Sequence, residues 1–188
     1  MSEPYKVLVI ESSTSEDKEA GRSEQNVLGQ IFHLLGVRAK IVSVETKAQF
    51  FSALKKAASE HIVYVHFSGH GAPDGIAIGD DKFITWEEFD QGCWPNLKHT
   101  NLSFSSCQVA KGVEELFSYH KTFCATIVAP TRDIYWAEGA AAFATFFLKA
   151  KGAEKSTDQD VRVMNHICGP GTFKVMRGKE TASPAVLI

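Results

Sequence analysis

Apolar residues in this chain fall into short β-rich runs separated by longer stretches with helical spacing, and that alternation predicts the elements. Tyr5–Ile10 (Y-K-V-L-V-I) reads as a first strand, followed by a polar, turn-rich stretch, Glu11–Ser23. Apolar residues at positions 27, 28, 31, 32, 34 and 35 predict a helix over Glu24–Leu35, which Gly36 stops. A strand over Arg38–Val44 leads into a helix over Glu45–Ala58, whose buried stripe is Phe50, Phe51, Leu54 and Ala58. Then comes His61–Gly71, H-I-V-Y-V-H-F-S-G-H-G, a β-branched and aromatic run that reads as a buried strand carrying His70 at its carboxyl end. Strand, helix, strand, helix, strand implies an α/β domain with a parallel sheet and right-handed crossovers.

Past His70, Ile76 and Ile78 alternate in a small excursion, and Thr85 caps a short helix opened by Thr-Trp-Glu-Glu-Phe. Asn101–Cys107 (N-L-S-F-S-S-C) is a second short apolar strand, ending on a cysteine. A helix over Val109–Tyr119, a strand over Cys124–Ala129, a helix over Glu138–Lys149, a polar segment of helical potential over Thr157–Ile167 and a final strand over Thr172–Arg177 follow. The tail Lys179–Ile188 carries no strong signal, and no repeat or linker divides the chain. A single domain spanning residues 1–188, with about six strands, is expected.

Composition narrows the class. With 188 residues, 44% hydrophobic and 22% charged, the chain is long enough for one sizeable core. Twenty basic against 22 acidic residues leave no nucleic-acid footprint, and the one adjacent basic pair, Lys55-Lys56, lies on a solvated helix face. The start M-S-E-P-Y-K is not a signal peptide and no apolar run approaches a membrane span, so a cytoplasmic location is expected. Cysteines at 93, 107, 124 and 168 form no Cys-x-x-Cys pair and read as reduced thiols.

Carboxyl ends of neighbouring parallel strands converge on one crevice, so His70 and Cys107 are expected to face each other there. A cysteine attacks an amide as thiolate, and the helix predicted directly after Cys107 would favour that charge. His70 would take the thiol proton or give a proton to the leaving amine. Gly71 would bring its N–H alongside that of Cys107 to hold an oxyanion, so Gly71→Val is expected to cut turnover at little cost in stability. His61, His66 and His70 have no cysteine or carboxylate at ligand spacing, so no metal is expected, and Gly69-x-Gly71 lacks the third glycine of a dinucleotide fingerprint, so no cofactor is. A receiver domain would need an acceptor aspartate at the third strand's end, where this chain has none.

His66-Phe67-Ser68-Gly69-His70-Gly71, the Ile-x-Ile hairpin, Thr-Trp-Glu-Glu-Phe and Leu102-Ser103-Phe104-Ser105-Ser106-Cys107-Gln108-Val109-Ala110-Lys111-Gly112 together resemble the CHAT-type members of the caspase-like (clan CD) cysteine peptidases over about Val63–Lys149. The resemblance implies a caspase-like three-layer α/β sandwich with a mostly parallel central sheet, a His70/Cys107 dyad, a protein or peptide substrate and a regulatory protein partner. It also implies a setting in regulated proteolysis or prokaryotic defence. Arg132-Asp133-Ile134-Tyr135-Trp136 stands where the family often has Trp-Pro-Val-Asp-Asp, and Ser-Ser-Cys-Gln-Val replaces the caspases' Gln-Ala-Cys-x-Gly. Loops after the first strand and after Cys124–Ala129 border the same crevice. Each contributes an acid, so Asp133 helped by Glu11 is expected to read a basic residue before the scissile bond, with Ser105 as a further substrate contact. Arg22 and Arg132 offer a basic pocket instead, and Tyr135 with Trp136 an apolar one. The competing class is a catalytically inactive caspase-like domain that docks a partner protein.

Overall fold

The computed structural model describes residues 6–60, 62–150 and 158–178. Tyr5, His61, Thr157 and the tail Lys179–Ile188, each at the edge of or within a predicted segment, lie outside the described residues. The order is β1 (Lys6–Ser12), α1 (Ser15–Glu19), α2 (Glu24–Leu34), β2 (Arg38–Ser43), α3 (Lys47–Ser59), β3 (Tyr64–Gly69), β4 (Gly71–Ala72), β5 (Gly75–Ile78), β6 (Lys82–Thr85) and α4 (Trp86–Cys93). There follow β7 (Asn101–Ser105), a 3₁₀ turn (Val109–Lys111), α5 (Glu115–Tyr119), β8 (Thr126–Pro130), α6 (Trp136–Ala150), α7 (Asp158–Cys168) and β9 (Phe173–Arg177). Six strands form the main sheet in the order β2-β1-β3-β7-β8-β9. The first five run parallel and β9 pairs antiparallel with β8. Strands β4, β5 and β6 form the small separate sheet of the excursion.

Alternation along β1 sorts the two cores. Leu8 and Ile10 face a layer containing Phe50, Leu54, Trp86, Phe89 and Leu116 from α3, α4 and α5. Val7 and Val9 face Leu28, Phe32, Phe143, Phe147 and Met164 from α2, α6 and α7. A sheet between two helical layers is the three-layer sandwich that the motif resemblance implies. On the second face β3 and β7 carry polar groups: buried His66 contacts Ser103 Oγ through Nδ1 (2.9 Å) and Glu24 Oε1 through Nε2 (3.3 Å), and Ser68 Oγ donates to Glu24 Oε2 (2.8 Å). This network pins α2 to the carboxyl half of β3, directly beneath the ends that carry chemistry. Strand order reverses between β1 and β3, since the chain steps from β1 outward to β2 and returns through β3 to β7. In parallel α/β sheets that is where a crevice opens.

Candidate active site

A cleft of about 430 Å³ opens at the carboxyl ends of β3 and β7. Gly69 and His70 line it from the end of β3, Ser105, Ser106 and Cys107 from the end of β7, and Ile134 to Ala137 from the loop before α6 and its first turn. Arg22, ahead of α2, completes it. Gly69 makes the junction possible, because a Cβ there would lie 2.6 Å from the Ser12 carbonyl oxygen where β1 and β3 end side by side. Of the residues singled out from sequence, the structure brings His70, Cys107 and Ser105 together in the cleft, along with Arg22, Tyr135 and Trp136 of the alternative pockets. Ser105 forms part of the floor, packed so closely on α6 that a Cβ on Gly139 would sit 2.2 Å from its Oγ. Gly71 does not line the cleft, and a Cβ on it would meet Ser106 Cβ and Val109 Cγ2, each at 2.8 Å. Ala77 N–H donates to the His70 carbonyl, which makes Gly71 and Ile76 a non-hydrogen-bonded pair and turns the Gly71 N–H away from β5.

Glu11 is elsewhere. It is 3% exposed and accepts hydrogen bonds from Ser23 Oγ (2.9 Å) and from the Gln25 N–H (2.8 Å) in the first turn of α2. It therefore supplies the cap that the Ser23 side chain does not give that helix. Burial pushes its carboxyl up against those hydrogen bonds. Asp133 does not line the cleft; it accepts from Gln108 Nε2 (3.0 Å), on the residue after the nucleophile candidate. Arg132 turns away to Glu138 and to the Cys168 carbonyl.

The helix expected directly after Cys107 does not form. Gln108 adopts a left-handed backbone (φ 57°), a 3₁₀ turn covers Val109–Lys111, and α-helix resumes only at Glu115. Gly112 explains the interruption, because a Cβ there would fall 1.7 Å from the Pro73 carbonyl oxygen, so the chain is bent tightly against the excursion. With no helix dipole behind it, Cys107 is not activated in the way the sequence suggests. Burial pushes its thiol up, and the nearby Asp133 carboxylate adds to that shift. Its hydrogen-bond partner is the Ile134 carbonyl (3.7 Å).

The residue that sequence reading passed over is Asp17, in α1. Its carboxylate is 1% exposed and receives Thr14 Oγ1 (2.7 Å), Arg22 Nη1 (3.2 Å) and Trp136 Nε1 (3.2 Å), and His70 Nε2 stands 2.8 Å from its Oδ2. Burial alone would raise its pKa, but Thr14, His70 and Arg22 outweigh burial and hold the carboxyl at about 2. The signal was present in the sequence: Thr14-Ser15-Glu16-Asp17 closes a capping box, which marks a helix start inside the stretch read as turn. Because the folded pKa lies below its ordinary value of 3.8, the ionised carboxylate stabilises the fold above that pH, and the contribution is lost as pH falls through about 2. The difference in thermal midpoint between the wild type and Asp17→Asn is expected to shrink as pH falls from 5 toward 2. A gap that does not change across that range would show that ionised Asp17 contributes nothing to the fold.

No protein-family model matches the chain and no curated protein sequence does. Among solved structures it is similar to caspase-1 from Spodoptera frugiperda, at 13% identity over 93% of this chain and 87% of that one, with a TM-score of 0.60. The fold is therefore caspase-like: a six-stranded, mostly parallel sheet between helical layers. Among the described residues no helix is long and apolar enough to cross a membrane, and no cluster of three or more His, Cys, Asp or Glu could hold a metal ion.

Proposed function

We propose that this domain is a cysteine peptidase with Cys107 as nucleophile and His70 as general base and acid. The observation that carries the reading is the convergence of these two side chains, from neighbouring parallel strands, on one open cleft. In the reaction His70 takes the Cys107 proton as the sulfur bonds to the carbonyl carbon. Its imidazolium then protonates the leaving amine as the C–N bond breaks. Water, deprotonated by His70, then attacks the thioester carbonyl carbon, the C–S bond breaks, and the imidazolium returns the proton to the Cys107 sulfur. The Cys107 and Gly71 N–H groups hold the oxyanion. The substrate is a protein or peptide, the location cytoplasmic, and control comes from a protein partner in regulated proteolysis or defence; support for that setting is the motif resemblance alone.

For the residue before the scissile bond, the cation in the cleft outweighs the acids expected to read it. Arg22 is 44% exposed at its side chain, and only its Nη1 is hydrogen-bonded among the described residues, which leaves Nε and Nη2 for a substrate carboxylate. Glu11 is committed to α2 and Asp133 to Gln108. A set of fluorogenic peptides differing only at that residue is expected to show faster turnover of Asp or Glu than of Arg or Lys, with the preference lost in Arg22→Gln. Preference for Arg or Lys, weakened in Asp133→Asn, would restore the basic-residue reading. The competing function, a catalytically inactive docking domain, is favoured by one observation: the Cys107 thiol bonds the Ile134 carbonyl rather than His70. Labelling by a thiol-reactive peptide probe that disappears in Cys107→Ala, together with turnover, excludes that function.

A further inference from the structure

We propose that Asp17 is a positioning residue that fixes the tautomer of His70, so that Nδ1 is the atom exchanging protons with Cys107. The proposal rests on the peptidase reading for its kinetic consequence but not for its geometry. An ionised carboxylate only accepts hydrogen bonds. With Asp17 ionised and its Oδ2 2.8 Å from His70 Nε2, the proton of the neutral ring must sit on Nε2. Nδ1 then carries the lone pair, and among the described residues it makes no hydrogen bond. It is the nitrogen left to serve the thiol in the cleft that His70 lines.

Asp17 is built to hold that orientation. Its Oδ2 also receives the Thr14 N–H (3.2 Å) and Oγ1, and its Oδ1 receives Arg22 and Trp136. With both oxygens engaged from separate segments the carboxylate cannot rotate, and His70 packs edge-on to Trp136 at 6.2 Å. An amide at this position presents an N–H to Nε2 as readily as an oxygen. It therefore admits the tautomer with the proton on Nδ1, which has no lone pair there to take the thiol proton.

Nitrogen-15 NMR of the histidine ring, assigned by difference from His70→Gln, is expected to show His70 protonated at Nε2 in the wild type at neutral pH and altered in Asp17→Asn. In steady-state hydrolysis Asp17→Asn should lose roughly 10²- to 10⁴-fold in kcat with KM changed by less than about threefold, and Asp17→Glu should recover part of the loss. Asp80→Ala loosens the α1 loop by removing the hydrogen bonds Asp80 accepts from the Ser15 N–H and Oγ, without touching the Asp17 carboxylate or His70, so it should lower the thermal midpoint while kcat stays within a fewfold of wild type. A neutral wild-type ring with its proton on Nδ1 and none on Nε2 overturns the proposal, as does an Asp17→Asn enzyme within tenfold of the wild-type kcat. Equal kcat losses in Asp80→Ala and Asp17→Asn would reduce Asp17 to a loop anchor and also overturn it. If the wild type hydrolyses no peptide, the peptidase reading fails, and the ring tautomer alone decides the role of Asp17.

Discussion

Cys107→Ala and His70→Ala are each expected to abolish peptide hydrolysis, by roughly 10⁴-fold or more, and to leave folding intact. The size follows from the interdependence of nucleophile and base: removing either leaves only the binding and oxyanion contributions, so the double variant should be no slower than the single ones. Folding survives because neither side chain belongs to the two apolar cores on which the sheet is built. His70 is 47% exposed at its side chain, and Asp17, its partner, keeps Thr14, Arg22 and Trp136 when the imidazole is gone. The checks are purified variants compared in a continuous peptide assay and in thermal unfolding. Hydrolysis comparable to wild type in either variant would sink the dyad.

The second large effect is expected at Gly71. A Cβ there would lie 2.8 Å from Ser106 Cβ and 2.8 Å from Val109 Cγ2, with the Cys107 carbonyl oxygen at 3.4 Å. Valine would add two methyl groups to that contact and push the His70 loop away from the Cys107 loop. Turnover should fall by about 10²- to 10³-fold, the range seen when one oxyanion donor is displaced. The sequence suggested little cost in stability, but the contact with buried Ser106 and Val109 changes that, since overpacking of this kind costs about 1–3 kcal/mol. Gly71→Ala should show both effects in weaker form. A variant that loses stability and keeps wild-type turnover would make Gly71 a packing residue and remove it from the oxyanion site.

How much of this was legible beforehand depends on the range of the interaction concerned. The continuous apolar run Val7–Ile10 and the helical spacing in α2 and α3 are local, and the elements they predict are present to within a few residues. His70 and Cys107 could be found because each sits where an apolar run ends, and strand ends in a parallel sheet converge whatever the loops do. The helix after Cys107 was misread for the opposite reason. Val109, Val113 and Leu116 have helical spacing and are buried, yet the approach of Pro73 to Gly112 bends the segment into a 3₁₀ turn, and no spacing rule contains that contact.

Local patterning was enough for the α/β class and for the strand ends that carry His70 and Cys107, because short apolar runs and their termini dictate them, whereas helical layers on both faces of the sheet were implied by the motif resemblance. What surrounds the pair depends instead on long-range packing. Asp17 reaches His70 across 53 positions because β1 and β3 pair in a register that sets Ser12 beside Gly69 and lays the α1 loop over the crevice. The same folding buried Glu11 under the start of α2, brought Arg22 to the cleft, and turned the Cys107 thiol toward Ile134. A charged residue in a loop has no periodicity to reveal its partner. Its role is settled by which backbone segments the packed sheet brings within hydrogen-bonding distance and which carboxylates that packing strips of water.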